Sequence, residues 1–181
     1  QLRRISRWII ISAALISLCA SAFYVQPVRA FTPIFVDADA PDGGDGFTWA
    51  SALNDLHEAI NMAVAGDEIW VAAGTYYPSY LLIAEDVRSA SFIMKNGVAI
   101  YGGFNGTETD LSQRNWTTNV TTLSGLITPT TGDPYHVYHV VYGSGMVNPA
   151  TRLDGFTITG GMADLDPGHL GGGGLHLDHT A

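Results

Sequence analysis

The sequence predicts an all-β fold: a solenoid of short strands with one amphipathic helix as its cap. Three observations predict it. Short apolar runs, rich in β-branched and aromatic residues and bounded by Gly, Asn, Asp or Pro, recur along most of the 181-residue chain. Only one stretch, residues 51–64, carries helical periodicity. The apolar centres of the later strands, near Leu123, Val140, Phe156 and Leu175, are spaced by 17, 16 and 19 residues. A quasi-regular repeat of this kind is expected of stacked coils, which bury a shared core that no single coil buries alone.

The N-terminal stretch reads as an export signal. Arg3, Arg4 and Arg7 form a basic region, Trp8 to Ala22 is almost wholly apolar, and Val28 and Ala30 suit a small-residue cleavage site before Phe31. The alternative is an uncleaved anchor, since Trp8 to Val25 is near the minimum length of a spanning helix. Cys19, the only cysteine, follows Leu18, where a lipoprotein signal wants a small residue. The mature chain is then free of thiols and disulfides. Gln1 at the start and a strand under way near the C-terminus are read as cut ends of a longer chain.

Three segments follow: the signal (1–30), a strand, acidic loop and capping helix (31–67), and the first, incomplete coils (68–181). Ile34 to Val36 is a short strand. Asp37 to Gly46 is an acidic, glycine-rich loop. Thr48 or Ser51 is the expected N-cap of the helix. Leu53, Leu56, Ile60 and Val64 make its apolar stripe with Ala59 and Ala63, and Gly66 is the expected left-handed terminator. Strands are then expected within 68–76, 90–104 (split by the turn Asn96-Gly97), 120–127, 135–145, 151–161 and 171–178. In "RLDGFTITGG", Phe156 and Ile158 are expected to point inward and Thr157 and Thr159 outward, with Gly155, Gly160 and Gly161 at the bends. With no second helical segment, alternating βαβ units are excluded.

Charge narrows the partners. The chain has 8 Lys+Arg and 17 Asp+Glu. Arg3, Arg4, Arg7 and Arg29 leave with the signal and no acidic residue does, so four basic and 17 acidic residues leave a mature net charge of −13. Nucleic acid and anionic membrane surfaces need clustered cations and are excluded as partners.

The stretches "FVDADAPDGGDGFTWASALNDLHEAINMAVAGDEIWVAAGTYYP", "GVAIYGGFNGTE", "LSG" and "RLDGFTITGG" with "GGGGL" resemble the N-terminal part of right-handed parallel β-helix proteins of the pectin-lyase-like superfamily. The "GGGGL" run also resembles the repeat of polymorphic outer-membrane proteins. The resemblance extends from about Ile34 to the end of the chain. It implies a right-handed parallel β-helix with an N-terminal capping helix, truncated after its first coils, and bacterial export to the medium or cell surface. It specifies fold rather than activity, because lyases, hydrolases, epimerases, tailspikes and adhesins share it. The hydrolase pattern of clustered Asp, Gly-His-Gly and a basic pair fails at Gly168-His169-Leu170. Arg152 with Asp154 echoes the lyases' basic residue beside carboxylates, although Asp154 beside Gly155 also reads as a turn residue.

No catalytic residue is assigned. Tyr76, Tyr77 and Tyr80 are the candidate ligand-binding residues, and Trp49, Trp70, Trp116 and Tyr101 are further candidate sugar-stacking surfaces, with Trp49 and Trp70 expected between the cap helix and the first coil. Asp37, Asp39, Asp42 and Asp45 form the candidate calcium loop, against the alternative that Asp and Gly simply make turns there. No other cofactor is implied. His136 and His139 are expected on opposite faces of one strand, whereas His176 and Asp178 share a face and, with His169 and His179 nearby, form a second candidate metal pair. Asn105, Asn115 and Asn119 head N-x-T sequons. The expected function is non-catalytic: interaction with a cell-surface component or binding of a polysaccharide, with downstream coils of the same protein as the other partner. The alternative is the leading part of a polysaccharide lyase or glycoside hydrolase whose active site lies downstream.

Overall fold

Alternation along Glu68–Ala72 sets the plan of the molecule. Ile69 and Val71 are fully buried in the main core, while Trp70, between them, belongs to a separate aromatic cluster. Successive strand residues point to opposite faces, so this strand is covered on both. The computed structural model describes residues 32–164 and 171–178, all within the unit Phe31–Ala181. The predicted signal and its cleavage point, Gly168 to Leu170 and His179 lie outside the described residues.

The fold is mainly β, and its larger sheets are dominated by parallel pairing. The first sheet runs β1 (Ile34–Val36), β2 (Glu68–Ala72), β6 (Ala99–Phe104), β11 (Arg152–Asp154), all parallel. The second runs β3 (Gly74–Tyr76), β7 (Thr121–Ser124), β12 (Phe156–Thr159), also parallel. The third contains β5 (Ala90–Ile93), β10 (Val141–Ser144) and β13 (Leu175–Asp178) in parallel, with β4 (Tyr80–Leu81) antiparallel on β5. From β2 onward the chain visits first, second and third sheet in that order three times. β8 (Leu126–Ile127) and β9 (Tyr135–His136) form a small antiparallel pair between β7 and β10.

The spacing read in the sequence therefore runs from one sheet to another, not between paired strands. Leu123 and Phe156 lie in the second sheet, Val140 and Leu175 at the third, so the spacing alternates between sheets. The stacked partners are Leu123 with Ile158 and Val141 with Leu175, two steps apart. The expected single strand over 135–145 is likewise two strands. Between them Val137 and Val140 turn fully into the core.

The helix is shorter than its periodicity suggests. α1 spans Leu56–Met62, and its N-cap is Asp55, whose carboxylate accepts the His57 N–H at 2.7 Å. Thr48 caps only a 3-10 turn, Trp49–Ser51. Leu53 is withdrawn because its backbone joins β1: it donates to Phe35 O at 3.0 Å and accepts from Asp37 N at 2.8 Å. Val64, expected in the apolar stripe, is exposed past the Ala63 C-cap. Gly66 does adopt a positive φ of 98°, but in the turn beyond the helix. Leu56, Ala59, Ile60 and Ala63 enter the main core beside Ile34, Val36 and Ile69. That burial, rather than seven residues of helix propensity, holds α1 in place.

In "RLDGFTITGG" the expected inside-outside pattern holds: Phe156 and Ile158 are half-buried, Thr157 and Thr159 exposed. Gly155 turns the chain between β11 and β12 with φ 83°. A Cβ there would lie 2.7 Å from Gly102 O on the neighbouring strand β6. The glycine is needed for both its conformation and its close approach.

Candidate functional site

The face of the first sheet opposite the core carries an aromatic cluster. Phe104 stacks on Trp70 with ring centroids 4.7 Å apart and planes 11° from parallel. Phe35 and Trp49 lean against them at 4.7 Å from each other, and Trp49 lies 5.7 Å from Phe104. Trp49 and Trp70 thus do not sit between α1 and the strands that follow it, as the sequence suggested. α1 packs into the core on the other face of β2, because the period of two sends Trp70 away from Ile69 and Val71.

This cluster is the floor for the loop after β6. The Trp49 indole N–H donates to Glu108 O at 2.9 Å. Glu108, buried at 6% exposure, turns its carboxylate back to accept the N–H groups of Asn105 (2.8 Å), Gly106 and Thr107 (both 3.1 Å). Three donors compensate the desolvation of that charge. A 3-10 turn, Leu111–Gln113, follows with a reciprocal capping box between Asp110 and Gln113. The Ser112 hydroxyl, and then its N–H, hold the Asp110 carboxyl below its ordinary pKa.

The capped turn delivers Arg114 and Trp116. The Arg114 guanidinium lies over the Tyr101 ring at 5.0 Å and the Trp116 ring at 5.1 Å. It donates to Asp154 Oδ1 at 2.9 Å, to Gly102 O at 3.3 Å and to Asp154 O at 3.4 Å. Trp116 itself is 58% exposed. Its backbone packs on Gly103, where a Cβ would come within 2.9 Å of Trp116 N and Cα. Two open clefts share the indole as their common wall. One, about 260 Å³, is lined by Trp116, Asp154, Gly155, Phe156 and Thr157. The other, about 480 Å³, is lined by Asp110, Leu111, Ser112, Arg114 and Trp116. An apolar ring with hydroxyls and carboxylates on both sides suits a polyhydroxylated ligand, whose C–H face stacks while its hydroxyls donate.

The other sequence candidates separate. Tyr76 is buried at 3% exposure. Its hydroxyl accepts from Ala38 N and donates to Ala72 O, both at 3.1 Å, and burial pushes the phenol well above its ordinary pKa. It is a core tyrosine that also borders the cleft beside Tyr77. Tyr77 and Tyr80 are half-exposed, and Tyr80 stacks on His57 at 5.0 Å. Tyr76 and Tyr77 together line a separate cleft of about 350 Å³ with Ala38, Asn54, Asp55, Leu56 and Thr75.

The acidic loop is held by its own turns and by Ser51 and Asn54 beyond it. Asp37 Oδ1 accepts Asp39 N at 3.0 Å, Asp42 Oδ1 accepts Asn54 Nδ2 at 2.7 Å, and Asp45 Oδ1 accepts Phe47 N at 3.0 Å and Ser51 Oγ at 2.6 Å. The Ser51 hydroxyl, then the Phe47 N–H, lower the Asp45 pKa. Among the described residues, no three His, Cys, Asp or Glu side chains gather in a group able to hold a metal ion. His139 does meet His176, with ring centroids 4.5 Å apart, and Asp178 accepts the Tyr142 hydroxyl at 3.3 Å. His136 instead turns to Gly160 O at 2.8 Å.

Arg114 and Glu108 escaped the sequence reading. The D-x-x-Q spacing of Asp110 and Gln113 was the available signal that this loop is built rather than loose. Among the described residues no helix is long and apolar enough to cross a membrane. No family model, curated protein or solved structure matches the chain.

Proposed function

We propose that residues 31–181 are the opening coils of an exported right-handed parallel β-helix protein, similar to the pectin-lyase-like superfamily, and that the outer surface around Trp116 binds carbohydrate without cleaving it. The order in which the chain revisits three parallel sheets supports the solenoid reading, and α1 against the first coil supports the cap. The observation that carries the binding reading is the exposed Trp116 indole, fixed on a capped loop between two clefts whose walls carry Asp110, Ser112, Asp154 and Thr157. An indole at 58% exposure forgoes much of the stabilisation that burial would give it, and a stacking ligand restores that. Binding rather than catalysis fits the same groups, because the nearby cation, Arg114, is committed to Asp154. Elimination across a uronate needs a free base and a cation at the developing charge.

Affinity electrophoresis through gels containing dissolved polysaccharides tests the reading. The chain is expected to be retarded by at least one polysaccharide, and Trp116→Ala to migrate as in an empty gel. Equal retardation of both proteins sinks it. The export part is tested by N-terminal sequencing of secreted material, with Phe31 expected as the first residue.

A further inference from the structure

Resting on that reading, we infer that the Trp116 site takes uncharged pyranosides and rejects uronate polymers. The charges around the indole decide this. Asp154 stands on one side and Asp110 on the other, each lining a cleft that Trp116 shares. The cation between them is spent. Arg114 gives one nitrogen to Asp154 Oδ1 and the other to the carbonyls of Gly102 and Asp154, and its side chain is only 12% exposed. It sits over two aromatic rings, so little of its fork is left for an incoming carboxylate.

The remaining described cations line neither cleft. Arg88 lies over the Tyr138 ring and bonds Asp164, His136 O and Met162 O. Lys95 donates to Asn61 O. Arg152 lines a different cleft, with Met94, Met146, Leu175 and Leu177.

A uronate residue stacked on Trp116 would bring its carboxylate against Asp110, or against an Asp154 already paired with Arg114, with no unpaired cation lining either cleft. The excess of 17 acidic over 8 basic residues in the chain adds to the repulsion. A neutral pyranose meets the opposite situation. Its hydroxyls donate to carboxylate oxygens, which are acceptors only, and to the Thr157 and Ser112 hydroxyls. Charge-assisted bonds of this kind are the stronger class.

The experiment is a tryptophan-fluorescence titration of the whole chain with cellohexaose, mannohexaose and hexagalacturonate, at low and at physiological salt. Trp116→Phe identifies the signal that belongs to the site. At least one neutral hexasaccharide is expected to shift the Trp116 emission, and hexagalacturonate to bind at least about tenfold more weakly, a gap of about 1.4 kcal/mol. That gap should narrow as salt rises. Hexagalacturonate binding as tightly as, or more tightly than, the neutral sugars overturns the inference and leaves the carbohydrate reading standing. Failure of all three, with Trp116→Ala migrating like wild type in the polysaccharide gels, overturns the reading itself.

Discussion

Arg114 and Asp154, 40 positions apart, join side chains at 2.9 Å and tie the loop after β6 to the outermost strand of the first sheet. Arg114 is the more buried partner, at 12% side-chain exposure against 40%. Removing the carboxylate leaves a largely enclosed guanidinium without its counter-charge, which costs more than losing an exposed pair. Asp154→Ala is expected to lower stability by about 1–2 kcal/mol, read as a shift in urea midpoint at constant slope. Because Arg114 also positions the Trp116 ring, the same variant should broaden or shift Trp116 emission in the folded state. A midpoint and spectrum identical to wild type would show that the pair does not hold the loop.

Gly155 offers a sharper test of how the corners stack. An alanine there must adopt φ near 83° and place its Cβ 2.7 Å from Gly102 O and 2.9 Å from an Arg114 nitrogen. The oxygen belongs to the backbone of strand β6, so it has little room to retreat. Gly155→Ala is expected to cost about 2–3 kcal/mol. Gly66 is the control: its φ is 98° but nothing lies within 4 Å of an added Cβ, so Gly66→Ala pays the conformational term alone, about 1–2 kcal/mol. Thermal melts of the two variants should therefore separate, with Gly155→Ala melting lower.

The sequence made strands legible where alternation and glycine punctuation coincide, as in β12 between Gly155 and Gly160. It did not disclose which strands stack. That depends on loop lengths such as 105–120, and no local pattern records them. The helix was placed but overextended, since the backbone of Leu53 pairs with β1 instead of continuing the stripe. Tyr76 and Tyr77 look alike in sequence. Strand alternation buries the first and exposes the second, and only the structure sets the phase of that alternation. At the site, Trp116 was visible as an aromatic but Arg114 was not, because its partner lies 40 positions further along the chain, on β11.

His57 predicts a pH dependence. It is buried at 8% exposure, neither ring nitrogen has a hydrogen-bond partner, and its ring stacks on Tyr80. Burial lowers its pKa below the ordinary 6.5, and the nearby Asp55 carboxylate offsets only part of that. As pH falls through about 6.5 the unfolded chain takes up this proton before the folded one does. Stability is thus full above that pH and declines below it, until the folded histidine also protonates. His57→Phe keeps a ring against Tyr80 and removes the titration. Its urea midpoint should fall less than that of wild type between pH 7 and pH 5. Parallel pH profiles for the two proteins would contradict the assignment.

The outermost strands of the three larger sheets predict association. β11, β12 and β13 are each the outermost strand of their sheet, so three consecutive strands present an edge with no partner strand among the described residues. The residues pointing toward the core there are incompletely covered: Leu175 is 42% and Leu177 46% exposed, and Leu153, Phe156 and Ile158 are only half-buried. By contrast, the β1 end of the first sheet is flanked by α1. Open backbone edges beside apolar side chains template pairing with another chain. Sedimentation of the chain is expected to show mass rising with concentration. Leu177→Lys places a charge at the inward position of β13, where it pairs beside Gly143, and an inward charge on an edge strand opposes pairing. That variant should sediment as a monomer at concentrations where wild type does not, with an unchanged far-ultraviolet circular dichroism spectrum. A wild-type chain that stays monomeric across the whole range would show that this edge is protected by some other part of the sequence.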